Sequence, residues 1–169
     1  MSHHHGHPNP LREIIIGAAA GAGAAFVMDQ FQMIWSKYGE KVGLPGGSRQ
    51  EGVESAPEKV ADMAAVAVTG ERLPAEQRKV GEKTVHYATG AALGAAYSVI
   101  ASSVRGATLG GGLGFGAASY LLLDQKLVPA AGLGYPPGSN DGDDKIYSLI
   151  SHLVFGFTTY RLRKVLGGS

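Results

Sequence analysis

Long stretches of this chain carry no charge, and most of the charge it does carry is gathered into one segment between them. Lys37 to Lys83 holds eight basic and eight acidic residues. Val85 to Val104, by contrast, has His86 and two tyrosines as its only ionisable side chains, and Ala107 to Leu123 is uncharged. A bilayer core of roughly 30 Å needs about 20 helical residues to cross it. Ile14 to Met28 is uncharged and reaches that length at Trp35 if Asp29 is tolerated inside. Ile146 to Tyr160 reaches it if Arg161, Arg163 and Lys164 extend to the interface. Trp35, Tyr38, Tyr147 and Tyr160 stand near the ends of these runs, where amphipathic rings favour the headgroup region.

These runs predict an all-α, polytopic membrane protein: about four transmembrane helices in an up-down bundle, with a short amphipathic loop helix. The expected spans are 14–35, 84–104, 106–127 and 146–165, within one domain over 14–166. Mean hydropathy is only +0.02, which hides the spans because the polar loop 36–83 offsets them. A soluble Ala/Gly-rich bundle would need a polar face on each helix, and these runs show almost none. The first run is read as a retained anchor. Its small residues Ala18, Ala19 and Ala20 come early, whereas a cleaved signal places them last. Residues 1–13 read as a disordered tail. Its His3, His4, His5 and His7 are either a cloning remnant or a native metal-binding tract.

Inside the loop, Ser55-x-x-Glu58 is a capping-box pattern, Pro57 suits a first helical turn and Gly70 suits a stop. They predict a helix over 56–69. Its apolar stripe, Val60, Met63, Ala64 and Ala67, is expected on the membrane surface or against the bundle, opposite Lys59 and Asp62. Pro74 opens a polar helical stretch that leads toward the second span.

Glycine accounts for 26 of 169 residues, about twice the usual ~7%, and it falls within the apolar runs. Stripes of small residues let membrane helices approach closely. Gly17, Gly21, Gly90, Gly94, Gly110, Gly114 and Gly156 are therefore the expected packing positions. Helices that alternate direction bring Asp29, His86, Asp124 and His152 to one side, each about 5 to 9 Å inside its helix end. His86 shares a face with Gly90, Gly94 and Tyr97, and His152 with Gly156, Thr159 and Arg163. Charge facing lipid is expensive, so these groups are expected to face one another. There is also a hint of internal duplication. Gly21-x-Gly23-Ala24-Ala25 precedes Asp29-Gln30, and Gly114-x-Gly116-Ala117-Ala118 precedes Asp124-Gln125, while His86-x-x-x-Gly90 is echoed by His152-x-x-x-Gly156.

At these motifs the chain resembles the YagU-like family of small bacterial inner-membrane proteins. The resemblance lies in Ala56-Pro57-Glu58-Lys59-Val60-Ala61, in His86-Tyr87-Ala88-Thr89-Gly90 with Gly94 and Tyr97, in the third span ending Val128-Pro129, and in His152-Leu153-Val154-Phe155-Gly156. It covers about Ile14 to Lys164. It implies a multi-pass location in the inner membrane and a loose association with acid tolerance, and it brings no catalytic residues. Asp124 departs from the pattern, because Gln125-Lys126 follows where a more acidic or histidine-containing turn is expected.

Three readings of the four polar residues stand open. They hold the bundle together, they handle protons or ions, or they bind a divalent metal, since two carboxylates and two imidazoles suit zinc, manganese or iron. The expected partners are the lipid bilayer, other membrane subunits or a second copy. A net charge of +1 gives no reason to expect nucleic acid. Without cysteine there is no thiol catalysis and no thiolate zinc site. The Gly-x-Gly-x-x-Ala match at Gly112, Gly114 and Ala117 lacks the strand that a dinucleotide loop requires, so an enzyme is not expected. Basic residues near the span ends lean toward cytoplasmic loops.

Overall fold

The computed structural model describes residues 9–44, 46–47, 54–104, 106–134 and 142–168. The first, second and fourth expected spans form as long helices and the third as a shorter, interrupted one, with a further helix in the loop. Helix α1 spans Pro10–Tyr38, where Asn9 accepts a hydrogen bond from the Leu11 amide and Pro10 opens the first turn. It starts inside the expected tail, and residues 1–8, with all four tail histidines, lie outside the described residues. Helix α2 spans Ala56–Thr69, matching the prediction. The Ser55 side chain accepts from the Glu58 amide, and Gly70 ends the helix at φ 81°. Helix α3, Ala75–Ser103, runs unbroken from Pro74 through the expected second span.

The third helix departs most from expectation. Residues 106–112 are turns, with Gly106, Gly110, Gly111 and Gly112 at positive φ, and α4 begins only at Leu113 (Leu113–Leu122). It continues through a π-helical turn, Leu123–Leu127, into Val128–Ala130. Pro129 accounts for the loosened turn: it has no amide to give the Gln125 carbonyl, and its ring crowds that carbonyl. The last helix, α5, spans Gly142–Val165.

Helix α1 lies between α3 and α5, α4 packs on α5, and α2 packs on α3. Neighbours run antiparallel: Glu13 meets Arg163 at one end of the α1–α5 pair, and Trp35 meets Tyr147 at the other. Ala24, Ala25, Met28 and Phe155 form the core, with Tyr87, Leu93 and Phe115 packed around it. Tyr97 of α3 stacks on Phe115 of α4, with ring centroids 4.5 Å apart.

Beside this apolar core, the interior holds an unusual share of polar groups. The largest fully buried side chains are Arg163, Tyr97, Glu13, Thr159, Ser98 and Ser151. Meanwhile Ile15, Phe26, Met33 and Ile34 of α1 and Leu121 and Leu122 of α4 are more than half exposed. Among the described residues one helix, α1, is long and apolar enough to cross a membrane. Helix α3 matches it in length and α5 is 24 residues long, but α3 opens with Glu76, Arg78, Lys79, Glu82 and Lys83, and α5 carries charge at both ends.

Of the two placements expected for the α2 stripe, on the membrane surface or against the bundle, the structure does not show the second. Ala61 and Asp62 are the buried positions of this helix, facing α3, whereas Met63, Ala64 and Ala67 are exposed. Asp62 wins the inward position because its carboxylate is fully used there. It accepts from Arg72 Nε at 2.7 Å and from the Leu73 amide at 3.1 Å.

Candidate functional site

Helical spacing places Lys83, His86 and Tyr87 on one face of α3, and that face meets Asp29 of α1. Lys83 Nζ and the Tyr87 hydroxyl each donate to Asp29 Oδ2 at 2.7 Å. His86 Nε2 lies 3.5 Å from Asp29 Oδ1. That nitrogen is buried and makes no hydrogen bond among the described residues.

The second predicted pair forms at the same end of the bundle. Asp124 sits in the π-turn, where the widened coil carries it toward α5. Ser148 donates to Asp124 Oδ2, and His152 Nδ1 lies 3.8 Å from the same oxygen. His152 Nδ1 is also 3.0 Å from the Ser148 carbonyl, which makes it a donor in the neutral ring. The ring meets Tyr120 edge-on, with centroids 5.9 Å apart, and the Tyr120 hydroxyl accepts from Gln125.

The four grouped residues thus lie at one end of the bundle, each histidine beside one aspartate. Among the described residues, however, no group of three or more His, Asp or Glu side chains is placed to hold a metal ion. The four residues form two separate Asp–His pairs, not one ligand set. Lys83, Tyr87 and Ser148 complete the pairs and had not been singled out. Their signal was present, since Lys83 and Tyr87 stand three residues before and one after His86, and Ser148 stands one turn before His152.

A third polar site lies at the opposite end. Arg163, for which the sequence offers both an outward extension to the interface and a place on the inward stripe, is fully buried. Its Nη2 donates to Glu13 Oε2 at 2.9 Å and its Nε to Ser98 Oγ at 2.8 Å. Ser98 Oγ in turn donates to Glu13 Oε2 at 2.8 Å. This knot joins α1, α3 and α5. The signal for it was Arg163 falling on the His152–Gly156–Thr159 stripe, with Glu13 the single acid in residues 1–28.

Between the two ends, helices cross on glycine. A Cβ on Gly17 or Gly21 would strike the backbone of Gly94 or Gly90, and one on Gly156 would strike Gly112 and Gly116. Gly17, Gly21, Gly90, Gly94 and Gly156 thus sit where expected. Gly110 and Gly114 do not: no atom would lie within 4 Å of a Cβ on either. Gly112 and Gly116 take their place, because the late start of α4 sets its rotational phase. With this register Gly17, Gly21 and Asp29 match Gly112, Gly116 and Asp124 at one constant offset, without a gap.

The loop hairpin is tied down by its own polar contacts. Lys59 Nζ donates to the Leu133 and Gly134 carbonyls at 3.1 Å each, and Ser55 donates to Glu82. Burial pushes the Asp62 carboxyl up, but the Leu73 amide and the Arg72 guanidinium outweigh it and hold the group below the ordinary aspartate value. No protein-family model, curated protein or solved structure matches the chain.

Proposed function

We propose that this chain is a multi-pass inner-membrane protein whose four helical spans are solvated by acyl chains. Its two Asp–His pairs and its Glu13–Ser98–Arg163 knot fasten the bundle. The single observation behind this reading is the placement of polarity: Arg163, Glu13, Thr159, Ser98 and Ser151 are fully buried, while large apolar side chains such as Ile15, Phe26, Met33 and Ile34 are more than half exposed. In water this exposure costs free energy over most of the surface, and in lipid it costs none. The glycine crossings support the same reading, since membrane helices associate through close backbone packing. Net interhelical hydrogen bonds average only about 0.6 kcal/mol, so several are needed to hold four helices. The proposed role is that of a scaffold or accessory subunit, its outward faces open to lipid, other membrane subunits or a second copy. The order of the YagU-like motifs supports a bacterial inner membrane and the link to acid tolerance. Fractionation tests the reading: the chain should pellet with membranes, resist alkaline carbonate and need detergent for release. A monomer in the detergent-free supernatant refutes it.

One observation favours proton handling as a second reading. Among the described residues His86 Nε2 is buried without a hydrogen bond, 3.5 Å from Asp29, a geometry in which a ring proton on that nitrogen faces a carboxylate. Nitrogen-15 spectra of labelled histidine across pH 5–8 test this, and a His86 ring that stays neutral and unshifted throughout ends it. The pairing of the four residues two by two leaves the divalent-metal reading without support.

A further inference from the structure

The end of the bundle that holds the Glu13–Arg163 knot also carries an open cleft of about 420 Å³, lined by Asn9, Leu11, Arg12, Ile15, Ile16 and Leu166. Its walls are aliphatic. Leu11, Ile15 and Leu166 are 63%, 60% and 47% exposed, an apolar surface that no other helix among the described residues covers. Its polar end is Arg12, whose Nη2 donates to the Gly167 carbonyl at 2.8 Å. That bond ties the guanidinium to the turn that follows α5, while the side chain remains 55% exposed.

Charge at this end is one-sided. The described residues here include Arg12, Arg161, Arg163 and Lys164 but one acid, Glu13, and Glu13 is engaged inside the knot by Arg163. A fixed guanidinium above an aliphatic slot, at a basic bundle end, matches a phosphate headgroup above an acyl chain.

We propose that this cleft binds one anionic phospholipid, its phosphate on Arg12 and one acyl chain along Leu11, Ile15 and Leu166. The proposal rests on the membrane reading above and deepens it. A zwitterionic lipid offers the same phosphate but cancels its charge with an ammonium group, so the basic end selects against it. One basic side chain at a membrane surface contributes about 1 kcal/mol, or about fivefold in retention.

The test is native mass spectrometry of the detergent-purified chain with equal dioleoyl phosphatidylglycerol and dioleoyl phosphatidylcholine. The wild type should retain phosphatidylglycerol about fivefold better than phosphatidylcholine. Arg12→Gln should bring the two to parity. Arg12→Lys and Arg161→Gln, the latter at the same end but outside the cleft, should preserve the preference. Parity in the wild type overturns the site, as does an equal loss in Arg161→Gln, which indicates diffuse charge. Displacement of the lipid by inorganic phosphate at millimolar concentration also overturns it, because the slot then contributes nothing. If Arg12→Gln fails to fold, Ile15→Ser probes the slot, and unchanged lipid retention counts against the proposal. A chain found in the detergent-free supernatant ends the membrane reading itself, whereas a membrane-inserted chain without lipid preference ends only this inference.

Discussion

Replacing Arg163 with Met tests whether the buried knot holds the bundle or merely occupies it. Arg163 and Glu13 are 0% and 1% exposed. Removing the guanidinium leaves the Glu13 carboxylate buried with the Ser98 hydroxyl and with Arg12, whose Nη1 is 3.9 Å away. Breaking a buried pair at one partner costs about 3–5 kcal/mol, because the other charge stays desolvated. Replacing both partners by apolar residues of similar volume, Glu13→Leu with Arg163→Met, is neutral or stabilising by about 1–4 kcal/mol in comparable cases. Here Ser98 loses both of its partners, at a cost of about 1–3 kcal/mol, which its own-turn carbonyl can partly offset. The double variant should therefore lie within about 2 kcal/mol of wild type, with each single variant well below it. Equilibrium unfolding in mixed micelles, followed by helical circular dichroism, measures all four corners of the cycle. Single variants costing under about 1 kcal/mol, near the ~0.6 kcal/mol average for membrane hydrogen bonds, would refute the argument that this charge pair is desolvated.

Three further outcomes follow from the same geometry. Gly116→Ala places a Cβ against the His152 carbonyl and 3.0 Å from Leu153 Cα, and should cost about 1–3 kcal/mol. Gly114→Ala meets nothing within 4 Å and should be neutral or stabilise by up to about 1 kcal/mol; thermal unfolding in detergent compares the two. Tyr87→Phe deletes a donor to Asp29 and should cost about 0.5–1.5 kcal/mol, an effect that should vanish in an Asp29→Asn background in the same assay. Because the Asp62 carboxyl lies below its ordinary value in the folded chain, its contribution is fully present above about pH 4 and fades as pH falls through the lowered value. Protection of the α2 amides, taken relative to their intrinsic exchange rate at each pH, should therefore fall in acid, and Asp62→Asn should show low protection already at neutral pH.

Local signals carried most of what was legible in the sequence. Helix α2 was placed to the residue because both of its ends are encoded within a few positions, by the Ser55 hydroxyl and by Gly70. The choice between its two expected placements was not, since the inward turn of Asp62 depends on Arg72 and Leu73, which lie beyond the helix. That Asp29, His86, Asp124 and His152 share one side was legible from helical phase and alternating direction, both of which survive errors of a residue or two at helix ends; which acid meets which histidine was not. Phase failed in the third helix. In a run such as Gly110-Gly-Gly-Leu-Gly-Phe-Gly116 every offset presents a glycine stripe, so only the start of the helix selects among them, and that start is set by turns at positive φ. The Glu13–Arg163 contact was out of reach for a different reason. An arginine near a span end satisfies two physical rules at once, extending outward or pairing inward, and the choice between them depends on which helices become neighbours.

That last point bears on the apparent duplication. At the constant offset that superposes Gly17, Gly21 and Asp29 on Gly112, Gly116 and Asp124, Glu13 falls on Thr108, within the turns that precede α4. The first two turns of α1 therefore have no helical counterpart in the second half, and they carry both Glu13 and Arg12. Each half keeps its glycine crossing and its acid–histidine contact, α1 with α3 and α4 with α5. The knot instead joins the halves, because Arg163 reaches across from α5 to α1 and Ser98. A perfectly repeated bundle would offer α3 and α4 the same contact, yet these two helices meet chiefly through the Tyr97–Phe115 stack. The extra turns of α1, and the ion pair they make possible, thus decide which helices of the two halves become close neighbours. Shortening α1 to begin after Glu13 should leave both glycine crossings intact while loosening α5 from α1, a separation that cysteine cross-linking between the two helices reads directly.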